Sequence, residues 1–426
     1  MRLGACVVVA CAACGNVNDH APDAAPRCTS NAECLAQAPI CNLDTGACVE
    51  CLDATSCGPD QLCDPQTHTC RGCTVDAECP DGFCAPDTGT CKSSIIPKFV
   101  PDACTTVATQ PSLTLDGVTT LNADDAATCN GGVVAQTGGP AICVVRYGTI
   151  TVPSTATVTV TGTRALALVA DDDLALAGSL DASANGTANG PGGGGVQSGG
   201  GASQNIGGGG AGFHAAGGAG GAQNVDGGGG AAGAAQGDPA TTGVLIGGPH
   251  APGGGGGGGA VTLVSCRGQV SVSGAIDVGG GAGQGGRLIA LNLLFGGTGG
   301  GAGGYIAVQG RDVSITGQLF ANGGSGGAGK PSNASVGANG SDALLAAAPA
   351  PGGAGSSGGG NGGAGGCCAG TPAGVGARTT ASNSSPGGGG ASAGYFETFT
   401  PAGVTPMVTP SVASPPAEPN VTVETR

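Results

Sequence analysis

At 426 residues the chain has length for about two to four domains, yet 92 residues are glycine and 27 are proline. Aromatics are 2% and tryptophan is absent, so any core must be thin and aliphatic. With 13 basic against 28 acidic residues the formal charge is −15, which excludes nucleic acid and an anionic membrane surface as partners recognised by clustered Lys and Arg.

Residues 1–13 carry Arg2, an apolar run from Leu3 to Ala13, and then a switch at Gly15-Asn16 to polar sequence. This reads as a short export signal, too brief to span a bilayer, which takes about 20 apolar residues; a buried N-terminal strand is the competing reading. Small residues before a cysteine resemble bacterial lipoprotein signals, in which that cysteine is acylated after cleavage. Cys6 leaves no apolar stretch ahead of it, Cys11 leaves an apolar Ala-Ala-Cys behind it, and Cys14 is followed at once by polar sequence. Cleavage before Cys14 also leaves an even number of other cysteines to pair. The expectation is a signal over 1–13, lipidation at Cys14, a linker over 14–27, and contact with a membrane through the lipid alone. The protein would be exported, either anchored to an outer membrane or extracellular.

From residue 28 the cysteines become periodic: Cys28, Cys34, Cys41, Cys48, then Cys51, Cys57, Cys63, Cys70, then Cys73, Cys79, Cys84, Cys91. Between the third and fourth cysteine of each unit stands a turn, Asn42-Leu43-Asp44-Thr45-Gly46 in the first, rich in residues that favour tight reversals. A unit of about 20 residues cannot bury enough apolar surface to fold alone, so disulfides must hold it. Zinc is the rival, because Cys48-x2-Cys51 and Cys70-x2-Cys73 have ligand-like spacing, but those gaps join successive units. Four cysteines allow three pairings per unit; first-to-third with second-to-fourth is the working expectation. The spacing over 28–91 resembles the Dickkopf-type modules of exported proteins of Gram-negative bacteria, a likeness that brings no ligand with it.

Residues 92–148 read as a connecting segment and 149–400 as a β-repeat region. The pattern apolar-small-apolar-small-Gly recurs at Val158–Gly162, Leu174–Gly178, Val270–Gly274 and Val313–Gly317. The last three each follow another strand pattern (165–169, 260–264, 305–308) and precede a third (179–181, 275–277, 318–320). Three short strands within about 20 residues suit one turn of a parallel β-helix; an antiparallel β-sandwich is the alternative. The stretches 184–259 and 323–394, mostly Gly, Ala, Ser and Asn, either stay disordered or pack backbone to backbone as extended glycine helices. Their texture resembles the PGRS glycine-rich modules of bacterial surface proteins. The Pro- and Thr-rich residues 401–426 read as a flexible tail.

Catalytic motifs fail on inspection. Ser325 and Ser357 lie in G-x-S-x-G strings without a strand-to-helix turn, and Gly324-x4-Gly329-Lys330 imitates a phosphate loop but continues with Pro331. Asp171-Asp172-Asp173 reads as a solvated turn before it reads as a calcium site. The enzyme rival is a β-helix polysaccharide lyase or hydrolase, for which Asp181, Asp277, Arg164, Arg267 and Arg311 are the candidate groups. Asp181 and Asp277 occupy equivalent positions, and Phe320 breaks the ladder. The reading adopted is a non-catalytic structural or adhesive surface protein, without metal or cofactor, that binds a surface polysaccharide or another surface protein.

Overall fold

A computed structural model describes residues 27–58, 61–79, 82–195, 197–223, 228–289, 293–369 and 371–426. The chain divides between Cys73 and Thr74 into two compact units. Among the described residues no helix is long and apolar enough to cross a membrane.

The first unit repeats one design. A single 3-10 turn (Asn31–Glu33, then Ala54–Ser56) leads into a two-stranded hairpin, Ile40–Asn42 with Ala47–Val49 and Leu62–Cys63 with Cys70–Arg71. Asp53 caps its turn by accepting from the amides of Thr55 and Ser56. The hairpin reversal needs a left-handed residue at its end, which Gly46 supplies in the first module and His68, at φ 53°, in the second. Disulfides join Cys28 to Cys41, Cys34 to Cys48, Cys51 to Cys63 and Cys57 to Cys70, first to third and second to fourth. Each closes a span of 12 to 14 residues, a size at which loop closure contributes about 3 kcal/mol.

The second unit is nearly all β and built on long parallel sheets, a β-helix-like arrangement. The first sheet stacks Ile142–Tyr147, Ala165–Ala170, Ala260–Ser265, Tyr305–Gln309 and Tyr395–Pro401. The second stacks Thr149–Val152, Leu174–Leu176, Gln269–Val272, Asp312–Ile315 and Met407–Val408. The third stacks Thr157–Thr161, Ser179–Asp181, Ala275–Asp277, Gln318–Phe320 and Val412–Ser414. The chain visits the three sheets in turn, and like residues meet in register: Leu166, Val261, Ile306 and Phe396 form one column, and Leu180, Ile276 and Leu319 another. The pairings are parallel, so the sandwich alternative does not apply.

Burial explains the two textures of these strands. In the second and third sheets alternate residues are buried, as at Gln269–Val272, because one face meets solvent. Strand Ala165–Ala170 is buried throughout. Its Leu166 and Leu168 enter the inner aliphatic core, while Ala165, Ala167 and Val169 pack outward under Phe83, Ile95, Phe99 and Val100.

The glycine-rich stretches do not lie loose. Three insertions, 182–259, 278–304 and 321–394, leave from the same corner, between a third-sheet strand and the next first-sheet strand. Their described residues bond to one another through the backbone with a period of three. Gly207 and Gly210 donate to Gly221 and Gly218, Gly208 and Ala211 to Gly297 and Gly300, and Gly209 to Gly200, at 2.7 to 3.0 Å. Gly387 and Gly390 donate likewise to Ala377 and Gly374, Gly388 and Ala391 to Gly327 and Gly324, and Gly389 and Ser392 to Gly208 and Ala211. An extended helix with three residues per turn has no internal hydrogen bonds and points successive amides in three directions, so each strand bonds three neighbours at once. Of the two states open to these stretches, the backbone-packed one is found.

Two boundaries read from the sequence move. The segment 92–148, expected as a connector, contributes Ser112–Thr114 and Val118–Asn122 to the second and third sheets, and its residues 95–104 cover the outer face of the first. Residues 401–426, expected as a flexible tail, instead add Met407–Val408, Val412–Ser414 and Val421–Val423 to the three sheets. The tail's prolines fall at the ends of these strands or between them, where an amide donor is not needed, and its valines continue the stack. Val158–Gly162 also lies in the third sheet, whereas its three sequence equivalents lie in the second.

Candidate functional site

Cys14, Cys6 and Cys11 fall outside the described residues. Every cysteine from Cys28 to Cys368 is disulfide-bonded. In the third module Cys79 joins Cys91, again second to fourth. The Sγ atoms of Cys28, Cys34 and Cys48, and of Cys51, Cys57 and Cys70, lie close enough to share a metal, but all six are consumed in disulfides. Three further bonds join Cys104 to Cys266, Cys129 to Cys143, and the adjacent Cys367 and Cys368.

Asp181 and Asp277 stand opposite each other in register on adjacent strands, which lie about 4.8 Å apart. Phe320 follows in the next strand. Asp181 accepts from the amide and hydroxyl of Ser183 at 3.0 and 2.7 Å, and Asp277 from the Gly279 amide at 2.9 Å. Burial, reinforced by the Asp181 charge, pushes Asp277 up to about 7. Beside this pair runs a groove of about 480 Å³ lined by Thr159, Asp181, Ser183, Asn185, Asn189 and Asp342. The groove's second carboxylate is therefore Asp342, held by the amides of Gly186 and Ala282 at 3.0 and 2.7 Å.

The candidate cations are engaged elsewhere. Arg164 donates to the Ala123 carbonyl at 3.2 Å, Arg267 pairs with Asp172 at 3.0 Å, and Arg311 pairs with Asp76. The aspartate triplet is dispersed: Asp171 holds Arg146 and the Ala108 amide, and Asp173 accepts from Gln269 at 2.9 Å. Lys330 is buried and donates to the carbonyls of Pro331 and Asn383, both at 2.7 Å, so it fastens glycine strands together. Ser325 is buried too, donating to Pro351 at 2.7 Å, and Ser357 offers its carbonyl to Ser332.

A second cavity, of about 490 Å³, was not anticipated from the sequence. Its walls include the Cys367–Cys368 disulfide, Pro372, Pro415 and Pro416, and its polar edge is the pair His214 and Glu418. His214 Nε2 lies 2.7 Å from Glu418 Oε1, with side chains 40% and 34% exposed, so both reach solvent as well as each other. The His214 ring packs edge-on to Tyr395 at 4.6 Å. The turn bearing the disulfide is fixed: the Cys368 amide donates to Ser414 Oγ at 3.1 Å, and Ser414 Oγ donates to Asn322 Oδ1 at 2.6 Å. The doublet of cysteines at 367 and 368 is the one sequence signal that marks this place, because neighbours cannot staple distant chain.

Tyr395, against which His214 packs, lies among three acids, Glu397, Asp238 and Glu418. Glu397 is 1% exposed; it accepts from the Tyr305 hydroxyl and feels the Asp238 carboxyl nearby. Burial, together with Asp238 and Glu418, pushes Glu397 up to about 8, against the lowering effect of Tyr305. Burial and the same three acids push Tyr395 up to about 12. Glu397 and Asp277 thus hold protons in the folded state that the unfolded chain releases near pH 4. Stability that is complete below that value is lost as pH rises to about 7 for Asp277 and about 8 for Glu397. We expect the thermal midpoint to fall between pH 5 and pH 8, and Glu397→Gln, read by circular dichroism at both values, to flatten the decline. A midpoint that climbs over this window, unaltered in slope by the substitution, contradicts it.

No family model, curated protein or solved structure matches this chain.

Proposed function

We propose that the chain is a non-catalytic, exported surface protein that acts as a structural or adhesive element and binds glycan or protein. The observation that carries this reading is the glycine bundle. Its amides and carbonyls are spent on neighbouring strands, and its walls offer few side chains able to do chemistry. Catalytic groups have to be held by a supporting shell of packed side chains, whereas a backbone-bonded slab suits load-bearing and repeated weak contact, in which avidity gains of about 10²- to 10⁴-fold come from number rather than strength. The disulfides favour an oxidising compartment. Acylation of Cys14 is the proposed anchor, since two or more acyl chains at about 0.8 kcal/mol per buried CH₂ give stable membrane attachment.

The reading is tested in the native cell. Loss of the protein should reduce surface attachment or cell aggregation, and Cys14→Ser should move it from the membrane fraction to the soluble one. A Cys14→Ser protein that stays with membranes would defeat the anchor.

One observation favours a second reading, polysaccharide lyase or hydrolase: the Asp181–Asp277 stack beside the Asp342-lined groove. Paired acids are what glycoside hydrolysis requires. Purified protein is therefore screened on acidic and neutral polysaccharides. We expect no turnover; turnover abolished by Asp181→Asn or Asp277→Asn would establish the enzyme.

A further inference from the structure

The Cys367–Cys368 bond has no structural explanation of the ordinary kind. A disulfide stabilises by closing a loop in the unfolded chain, and the gain grows with the residues enclosed. The bonds of the modules enclose 12 to 14 residues and Cys104–Cys266 spans 162, but this one has a sequence separation of 1. It restricts almost nothing. What it does produce is a small apolar ring with two sulfurs, set in a turn clamped by Thr371, Ser414 and Asn322.

That ring faces the 490 Å³ cavity, whose size lies within the range of about 300–1,000 Å³ usual for small-ligand sites. Pro372, Pro415, Pro416 and alanines extend the apolar wall; Thr371 and Ser392 also line the cavity, and its ionisable groups are Glu418 and His214, which contact each other. An apolar floor with a carboxylate and an imidazole on one rim is complementary to a pyranose: one face of the sugar presents C–H groups, and its margin presents hydroxyls that donate to the carboxylate and to the ring nitrogen left free when Nε2 faces Glu418. A chain of net charge −15, with Glu418 at the rim, disfavours an anionic sugar.

We propose that this cavity is a lectin-like site for a neutral pyranose residue of a surface glycan, with the Cys367–Cys368 disulfide as its floor and Glu418 and His214 as its hydroxyl-binding edge. This rests on the glycan-binding reading above and gives it a place. The sugar's C–H face lies on sulfur and proline, and Glu418 takes two hydroxyl donors, which leaves His214 oriented by the acid it already contacts. Binding of a single residue is weak, and attachment arises from many copies on one surface.

The test uses the full chain and saturation-transfer NMR with the methyl α- and β-glycosides of glucose, galactose and mannose, and methyl glucuronide as the charged control. At least one neutral glycoside should bind, and the glucuronide at least tenfold more weakly. Glu418→Gln, and separately the double variant Cys367→Ala/Cys368→Ala, should each weaken that binding tenfold or more. Thermal midpoints should stay near the parent value, since Glu418 is only half-buried, its side-chain partner His214 is itself solvent-accessible, and the disulfide closes no loop. If the double variant misfolds, Glu418→Gln alone decides. Absence of binding by every neutral glycoside, or binding that survives Glu418→Gln, overturns the site. Retention of both the parent protein and Glu418→Gln on native surface polysaccharide would then show that the adhesive reading stands and only this pocket fails. Loss of both the pocket binding and the retention would remove the adhesive reading as well.

Discussion

Replacing Cys104 and Cys266 together by alanine is expected to destabilise the second unit more than any other disulfide removal in it. The two cysteines are 162 residues apart, so the bond removes about 5 kcal/mol of chain entropy from the unfolded state. It also fastens a strap. Residues 95–104 lie across the outer face of the first sheet, the Ile95 amide donates to the Cys266 carbonyl at 2.9 Å, and the Phe99 ring sits edge-on to Tyr305 and Phe399 at 5.6 and 5.8 Å. Without the bond these contacts must hold the strap unaided. A fall in thermal midpoint of about 10 °C, at about 2 °C or more per kcal/mol, is the expected reading by circular dichroism. The Cys367→Ala/Cys368→Ala protein is the internal comparison, because it loses a disulfide of negligible loop length. Equal falls in the two variants would show that loop closure is not what Cys104–Cys266 contributes.

Much of the repeat architecture is legible in the sequence, because a stacked turn writes the same pattern at each level. Leu174, Val270 and Val313 are equivalent in the motif and stand in register in the second sheet, as do Leu180, Ile276 and Leu319 in the third. The modules of the first unit are legible for the same reason. The ends were harder to read. Residues 401–426 carry the composition of a tail, yet a growing stack offers a prepared edge, and a few valines at the right spacing are enough to join it.

The candidate sites were less legible than the scaffold. Asp181 and Asp277 were found from equivalence alone, but Asp342, the other carboxylate of their groove, comes from a glycine insertion more than sixty residues further along. His214, Cys367, Cys368 and Glu418 come from two insertions and a loop between the last two strands, and no local pattern links them. The hydrogen bonds that bring the insertions together are between backbones. Sequence reports only where side chains are missing, and leaves open which strand lies beside which.

The glycine bundle makes the sharpest mutational prediction, since its spacing is set by contact between backbones. Gly390 is buried; it donates to the Gly374 carbonyl and accepts from the Gly218 amide, both at 2.8 Å. A Cβ added there would fall within the Ala364 carbonyl oxygen. A crowded side chain can rotate away, but a carbonyl in a three-way hydrogen-bonded lattice cannot move without breaking the bonds of its own strand. Overpacking of this kind costs about 3 kcal/mol, while the reduced freedom of alanine in the unfolded chain returns only about 0.4–1 kcal/mol. Gly390→Ala should therefore lose about 2 kcal/mol or more, and Gly390→Val should fail to reach the native state. Gly201 provides the contrast: it is exposed, and a Cβ there would meet Pro252 at an ordinary 3.5 Å. Gly201→Ala should be neutral or slightly stabilising. Chemical denaturation of the three variants reads the difference directly. Gly390→Ala unfolding at the parent's midpoint would mean that the strands are not packed at backbone distance, and the slab would lose its claim to be the rigid element on which the surface reading depends.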